Sequence, residues 1–148
     1  MRLALLLCLV ASLSSCGRDT ATFTDINTRS VTLPGGQVIQ AETVTSSLQM
    51  ARGLMFRTSL APDHGMLFAH RDPGYYSYFM FQHEIPLDIV WIDGGHIIVE
   101  IVENAPPCRT KASECPHYGG TRVAHYVLEL AGGMARKYDL QAGQRIEF

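Results

Sequence analysis

The sequence predicts a mostly β fold, a small antiparallel β-sandwich or barrel with one or two short helices. Three observations carry that expectation. Six or more short segments alternate apolar and polar residues or are rich in β-branched ones, Gly, Pro and Asp turn signals separate them, and only two stretches have helical period. A length of 148 residues with 47% hydrophobic and 18% charged residues suits one globular domain.

Phe23 to Leu33, rich in Thr and β-branched residues, reads as a strand that stops at Pro34-Gly35-Gly36. Gln37 to Thr45 answers it, with Val38, Gln40, Glu42 and Val44 on one face and Ile39, Ala41 and Thr43 on the other, so a first hairpin is expected. Ser46 then offers a helix N-cap with Gln49 three residues on. Leu48, Ala51, Arg52 and Met55 recur at helical spacing, which predicts a short helix over about Ser47 to Met55. Strand signal returns at Gly65 to Phe68 and at Tyr76 to Phe81. Ile85 to Ile92 and Ile97 to Val102 flank Asp93-Gly94-Gly95-His96 and form the clearest hairpin in the chain. Val123 to Leu130 alternates once more, Ala131-Gly132-Gly133 breaks it, Met134 to Tyr138 suggests a helical turn, and Gln144 to Phe148 reads as a closing strand.

The first residues read as an address. Arg2 gives a positive start, and Leu3 to Leu13 is an uncharged apolar run. As a helix it would span about 16 Å, roughly half a bilayer's hydrocarbon core, which fits a signal peptide and not an anchor. Leu13-Ser14-Ser15-Cys16 resembles a lipobox, so residues 1–15 are expected to be removed and Cys16 acylated. Two or more acyl chains make a stable anchor. Residues 16–22 would then be a polar tether and residues 23–148 a single β-rich domain. The expected placement is extracytoplasmic and lipid-anchored to a bacterial membrane, on the periplasmic side in a diderm. An ordinary signal peptide with an incidental cysteine is the competing reading. Net charge is −2 and the basic residues do not cluster, which argues against nucleic acid as a partner.

A set of motifs in order, Arg52-Gly53-Leu54-Met55-Phe56-Arg57, Gly65-Met66-Leu67-Phe68, Ile85-Pro86-Leu87-Asp88-Ile89, Trp91-Ile92-Asp93 and Tyr126-Val127-Leu128-Glu129-Leu130, resembles the family called domain of unknown function 192. The resemblance covers about Val38 to Phe148. It implies a compact, mostly antiparallel β-sandwich, often secreted or lipid-anchored, and implies no biochemical activity. Relatives usually carry Phe-Trp-Met-Lys-Asn-Thr before the Ile-Pro-Leu-Asp motif. Here the stretch is Tyr78-Phe79-Met80-Phe81-Gln82-His83, so whatever the lysine does in relatives is done differently here or not at all.

With Cys8 lost and Cys16 acylated, Cys108 and Cys115 remain as a pair. An oxidising compartment favours a disulfide between them, and Pro106, Pro107 and Pro116 bracket a rigid loop. A metal site is the competing reading because His117 lies close by, but no two-residue cysteine spacing supports it, and neither a metal nor a cofactor is expected.

Arg52 and Arg57 read either as guanidinium forks for a ligand carboxylate or phosphate, or as structural ions bridging to Asp88 or Glu129, with the structural role favoured. Asp88 is the best single acid, because Pro86 suggests a strand edge or a bulge beside it. Asp88 and Glu129 are the weak candidates for catalysis. His83-Glu84 opens like a zincin helix, yet no second histidine follows, and no serine elbow or glycine-rich phosphate loop occurs. Met50, Met55, Met66 and Met80 with Phe56, Phe68, Phe79, Phe81 and Trp91 form a soft apolar set, read as core before cleft.

The leading expectation is therefore a non-enzymatic lipoprotein module. It would bind a small molecule, glycan or envelope protein through a face near Arg57, Asp88 and the Cys108 to Cys115 loop. The alternative is a small carbohydrate hydrolase with Asp88 and Glu129 or Glu84 as its paired carboxyls. Copper or zinc binding through Met, His and Cys is a third, weaker idea.

Overall fold

A computed structural model describes residues 27–148. The expected signal segment, Cys16 and the tether lie outside the described residues. The fold is mostly β, sandwich-like, with two short helices. β1 (Asn27–Thr32) and β2 (Val38–Val44) form the first hairpin around Pro34-Gly35-Gly36. Helix α1 (Ser47–Arg52) follows, its Ser46 side chain accepting from the Gln49 N–H and Gly53 closing it at positive φ. β3 (His64–Gly74) runs parallel to β2, and the α1 connection carries the chain across. The expectation of an antiparallel sheet holds for every other pair.

β5 (Leu87–Ile92), β6 (Ile98–Ala105) and β8 (Ala124–Ala131) complete a six-stranded sheet in the order β1-β2-β3-β8-β5-β6. The two-residue strands β4 (Tyr78–Phe79) and β7 (His117–Tyr118) pair only with each other. Tyr76 to Phe81 is thus a cover laid against the sheet and not a full strand within it. Helix α2 (Met134–Lys137) follows β8.

The expected closing strand is reduced to single bridges, Ile97 with Arg145 and Thr32 with Glu147. These touch both ends of the sheet order, so the C-terminal segment caps the two edge strands and buries Ile146 completely.

Two cores lie on opposite faces of this sheet. Leu67, Val90, Ile92, Leu128 and Leu130 join Val31, Ile39 and Ile146 on one face. Met66, Phe68, Leu87, Ile89, Trp91 and Val127 join Leu54 and Met80 on the other. The period-two alternation of β3, β5 and β8 distributes their residues this way, and β5 is buried along its whole length. It lies between β8 and β6, so Pro86 marks the start of a central strand, not an edge. The bulge expected beside Asp88 is present, between Leu87 and Ile89.

The second core is roofed by β4, β7 and the disulfide loop. Cys108 and Cys115 are bonded, and the Cys108 N–H donates to the Met80 carbonyl at 2.9 Å. Trp91 donates its indole N–H to the Tyr76 carbonyl at 2.7 Å. A Cβ on Gly119 would sit 2.1 Å from the Trp91 ring, so only glycine lets the roof close over it.

Candidate functional site

Beside that roof the second core opens into a cleft of about 270 Å³, walled by α1 and the turn after it on one side and by Tyr75 to Phe79 on the other. Met50 and Arg52 come from the helix, Gly53 and Met55 from the turn after it, Phe68 and His70 from β3, and Glu129 from β8. A second hollow of about 240 Å³ shares Arg52, Gly53 and Met55 and reaches Phe56 and Arg57. A third, of about 310 Å³, shares Phe56 and His83 and runs to Glu84, Cys108 and Arg109. Three hollows thus surround the Gly53 to Phe56 turn, where Phe56 takes φ 64° with its ring exposed.

Glu129 is the polar group of the first cleft that the fold treats least generously. It is 3% exposed, and its Oε2 has no hydrogen-bond partner. Burial pushes its carboxyl up to about 8, against the opposing pull of Arg57. Arg57 cannot do more, because its fork is committed elsewhere: Nη1 and Nη2 donate to the Glu42 oxygens at 2.5 and 2.6 Å.

His83, 6% exposed, donates through Nδ1 to the Phe81 carbonyl, 3.0 Å away, and its Nε2 also lacks a partner. A carbonyl only accepts, so the proton sits on Nδ1 and Nε2 presents a lone pair. Burial lowers the pKa of His83.

His70 stacks on Tyr76 with centroids 3.5 Å apart and meets the Tyr78 hydroxyl at 3.0 Å. Burial, with the His125 charge adding to it, pulls His70 down to about 4. Burial, then Glu129 and Tyr76, pushes the Tyr78 phenol up. Tyr78 is edge-on to both Phe68 and Trp91. The wall is therefore a locked aromatic stack, uncharged at neutral pH.

The residues singled out from the sequence separate. Asp88 belongs to the opposite face: one oxygen accepts from the Asn104 and Gly133 N–H groups at 2.6 and 3.0 Å, the other from Ala135 at 2.6 Å. It ties β6 and the start of α2 to β5, and it does not join a binding face with Arg57. Asp88 and Glu129 consequently share no cleft, which removes the carboxylate pair that a glycosidase needs, and Glu84 lines the third hollow instead. Arg57 bridges to Glu42, not to Asp88 or Glu129, because β2 places Glu42 beside the turn after α1. Arg52 lines the first and second hollows. Cys108 and Cys115 form the disulfide, and among the described residues no cluster of three or more His, Cys, Asp or Glu could hold a metal.

Of the soft apolar set, Met66, Phe68, Met80 and Trp91 are core, while Met50, Met55 and Phe79 face the cleft. The sequence pattern does not assign His70, Tyr78 or His83 to a cleft, because isolated histidines and a single tyrosine carry no spacing signal. The departure of Phe81-Gln82-His83 from the family pattern was the available clue, and His83 lies in the cleft.

The chain matches the DUF192 family, described as an uncharacterized ACR, over residues 30–148. It belongs to that family. A protein of unknown function from Novosphingobium aromaticivorans DSM 12444, known from a crystal structure, is similar at 30% identity with a TM-score of 0.71, covering 80% of this chain and 82% of its own. A Sinorhizobium meliloti 1021 protein described as a candidate transcription regulator is similar at 30% identity and a TM-score of 0.65, covering 80% of this chain and 89% of its own. No curated protein matches. Among the described residues, no helix of this DUF192 domain is long and apolar enough to cross a membrane.

Proposed function

We propose that this DUF192 domain is a lipid-anchored, extracytoplasmic binding module that holds a small molecule or the end of an envelope glycan in the cleft over Glu129. The observation that carries the reading is that two residues lining one open aromatic cleft, Glu129 and His83, each hold a buried polar atom without a partner, Oε2 and Nε2. Leaving a buried polar group unsatisfied costs about 1–3 kcal/mol, and a bound ligand would recover it. The cleft sits just below the roughly 300–1,000 Å³ of drug-sized sites, so it suits one ring and not a polymer. A binder is favoured over a hydrolase because Glu129 is the only acid lining this cleft.

Anchoring rests on the lipobox-like Leu13-Ser14-Ser15-Cys16, and the Cys108–Cys115 disulfide suits an oxidising compartment. A DNA-directed role, as the description of the Sinorhizobium relative suggests for that protein, finds no support in a chain of net charge −2.

Two measurements test the reading. Intact mass of protein from its host is expected to show loss of residues 1–15 and added acyl mass at Cys16, and an unprocessed N-terminus would overturn the placement. Screening the soluble domain against metabolites and glycans by NMR is expected to shift Phe68, Tyr78 and His83 signals. A complete absence of binders at millimolar concentration would overturn the binding role.

A further inference from the structure

The chemistry of the cleft floor narrows what such a ligand can be. Arg57, from the turn after α1, is neutralised by Glu42 of β2 through two hydrogen bonds. His70 of β3 and His83 of the β4–β5 connection are uncharged at neutral pH, as is Tyr78 of β4. Arg52 lines the wall shared by the two hollows, and no contact to the ligand is assigned to it. No carboxylate is ready to meet a cation, since burial outweighs the pull of Arg57 and keeps the proton on Glu129.

What remains on the floor is one donor and one acceptor, the Glu129 carboxyl O–H and the His83 Nε2 lone pair. Tyr76, Tyr78, Phe68 and Phe79 supply apolar ring surface around them. A hydroxyl group both accepts and donates, and a ring carrying several of them offers each partner its complement while turning its C–H face to the aromatic wall.

We propose that the cleft recognises a single uncharged, hydroxylated ring of monosaccharide size, with the Glu129 carboxyl donating to one ring oxygen and His83 Nε2 accepting from a ring hydroxyl. This rests on the small-ligand reading above and names its ligand class. Ionising Glu129 removes the donor and sets a charge against the ring oxygen, so affinity falls as pH rises past the Glu129 value.

The test uses the soluble domain with five probes: glucose, galactose and N-acetylglucosamine as neutral rings, and cyclohexanecarboxylate and cyclohexylamine as charged rings of similar size. Affinities are read by NMR titration at pH 6.5 and pH 9.0, with a thermal melt confirming the fold at both. At least one sugar is expected to bind with millimolar Kd at pH 6.5 and about tenfold more weakly at pH 9.0, where a carboxyl titrating at about 8 is roughly nine-tenths ionised.

Glu129→Gln, which keeps a neutral donor, is expected to bind equally at both pH values. His83→Phe is expected to weaken binding about fivefold while leaving the pH effect in place. Tighter binding of either charged ring than of every sugar overturns the ligand class and leaves the binding role standing. Sugar binding that ignores both pH and Glu129→Gln, or no sugar binding at 100 mM-scale concentrations, overturns the proposal as well.

Discussion

Two buried carboxyl groups one position apart in register, Asp88 and Glu129, live under opposite conditions. Asp88 faces the first core and accepts three backbone N–H bonds. Glu129 faces the second core and has an oxygen with none. Asp88→Ala strands three buried donors and is expected to cost about 3–5 kcal/mol in urea denaturation, with Asp88→Asn costing less because an amide oxygen still accepts.

Glu129 sets a pH dependence of the opposite kind from an ion-paired acid. Its folded value, about 8, lies above the ordinary 4.5, so its contribution is fully present below 4.5 and is lost as pH rises through 8. His70, held down to about 4, opposes this below 6.5, where the unfolded chain takes up a proton and the folded one does not. His83, lowered by burial as well, acts in the same sense as His70, so stability is expected not to fall as pH rises to 6.5 and to fall from 6.5 to 8. Glu129→Gln should flatten that upper limb and stabilise the domain at pH 8 by a few kcal/mol. Thermal melts across the range would read it, and an unchanged slope in the variant would remove Glu129 as the cause.

At the level of elements, the site depends on pieces too short to stand alone. β4 and β7 are two residues each and hold their place through the Phe81–Cys108 bridge, the Trp91–Tyr76 hydrogen bond and the Cys108–Cys115 bond. Reduction, or a Cys108→Ser, Cys115→Ser variant, is expected to lower stability by about 2.5 kcal/mol from loop entropy alone. Amide exchange at Cys108 should rise first, because this roof is the least supported part of the second core. Equal exchange in the oxidised and reduced forms would show that aromatic packing suffices to hold β4 and β7.

At the scale of the molecule, the C-terminal segment decides whether the sheet has edges. Thr32 and Glu147 exchange N–H bonds at 2.8 and 3.0 Å, and Ile98 takes the Gln144 carbonyl at 2.9 Å. Deleting residues 143–148 uncovers β1 and β6 and empties the place of Ile146. The expected outcome is loss of cooperative unfolding and self-association by size exclusion, since exposed strand edges pair with one another.

The order and type of these elements were legible in the chain because each signal is local. The period-two alternation of β2 and β8, the β-branched run of β5, the Asp93-Gly94-Gly95 turn and the Ser46 cap depend on neighbours a few residues away. The cysteine pairing could be read as well, since Cys108 and Cys115 are the two cysteines of the β domain. What the sequence by itself determined, then, is a small β domain with a stapled loop. Only the tertiary structure decided that β2 and β3 run parallel, that Glu42 takes Arg57, that Asp88 turns away, and that Glu129, His70 and His83 converge. Those facts rest on which strand lies beside which and on which face a bulge turns a side chain toward. Such contacts join residues tens of positions apart, and pairing energies at that distance leave no periodic trace in the chain.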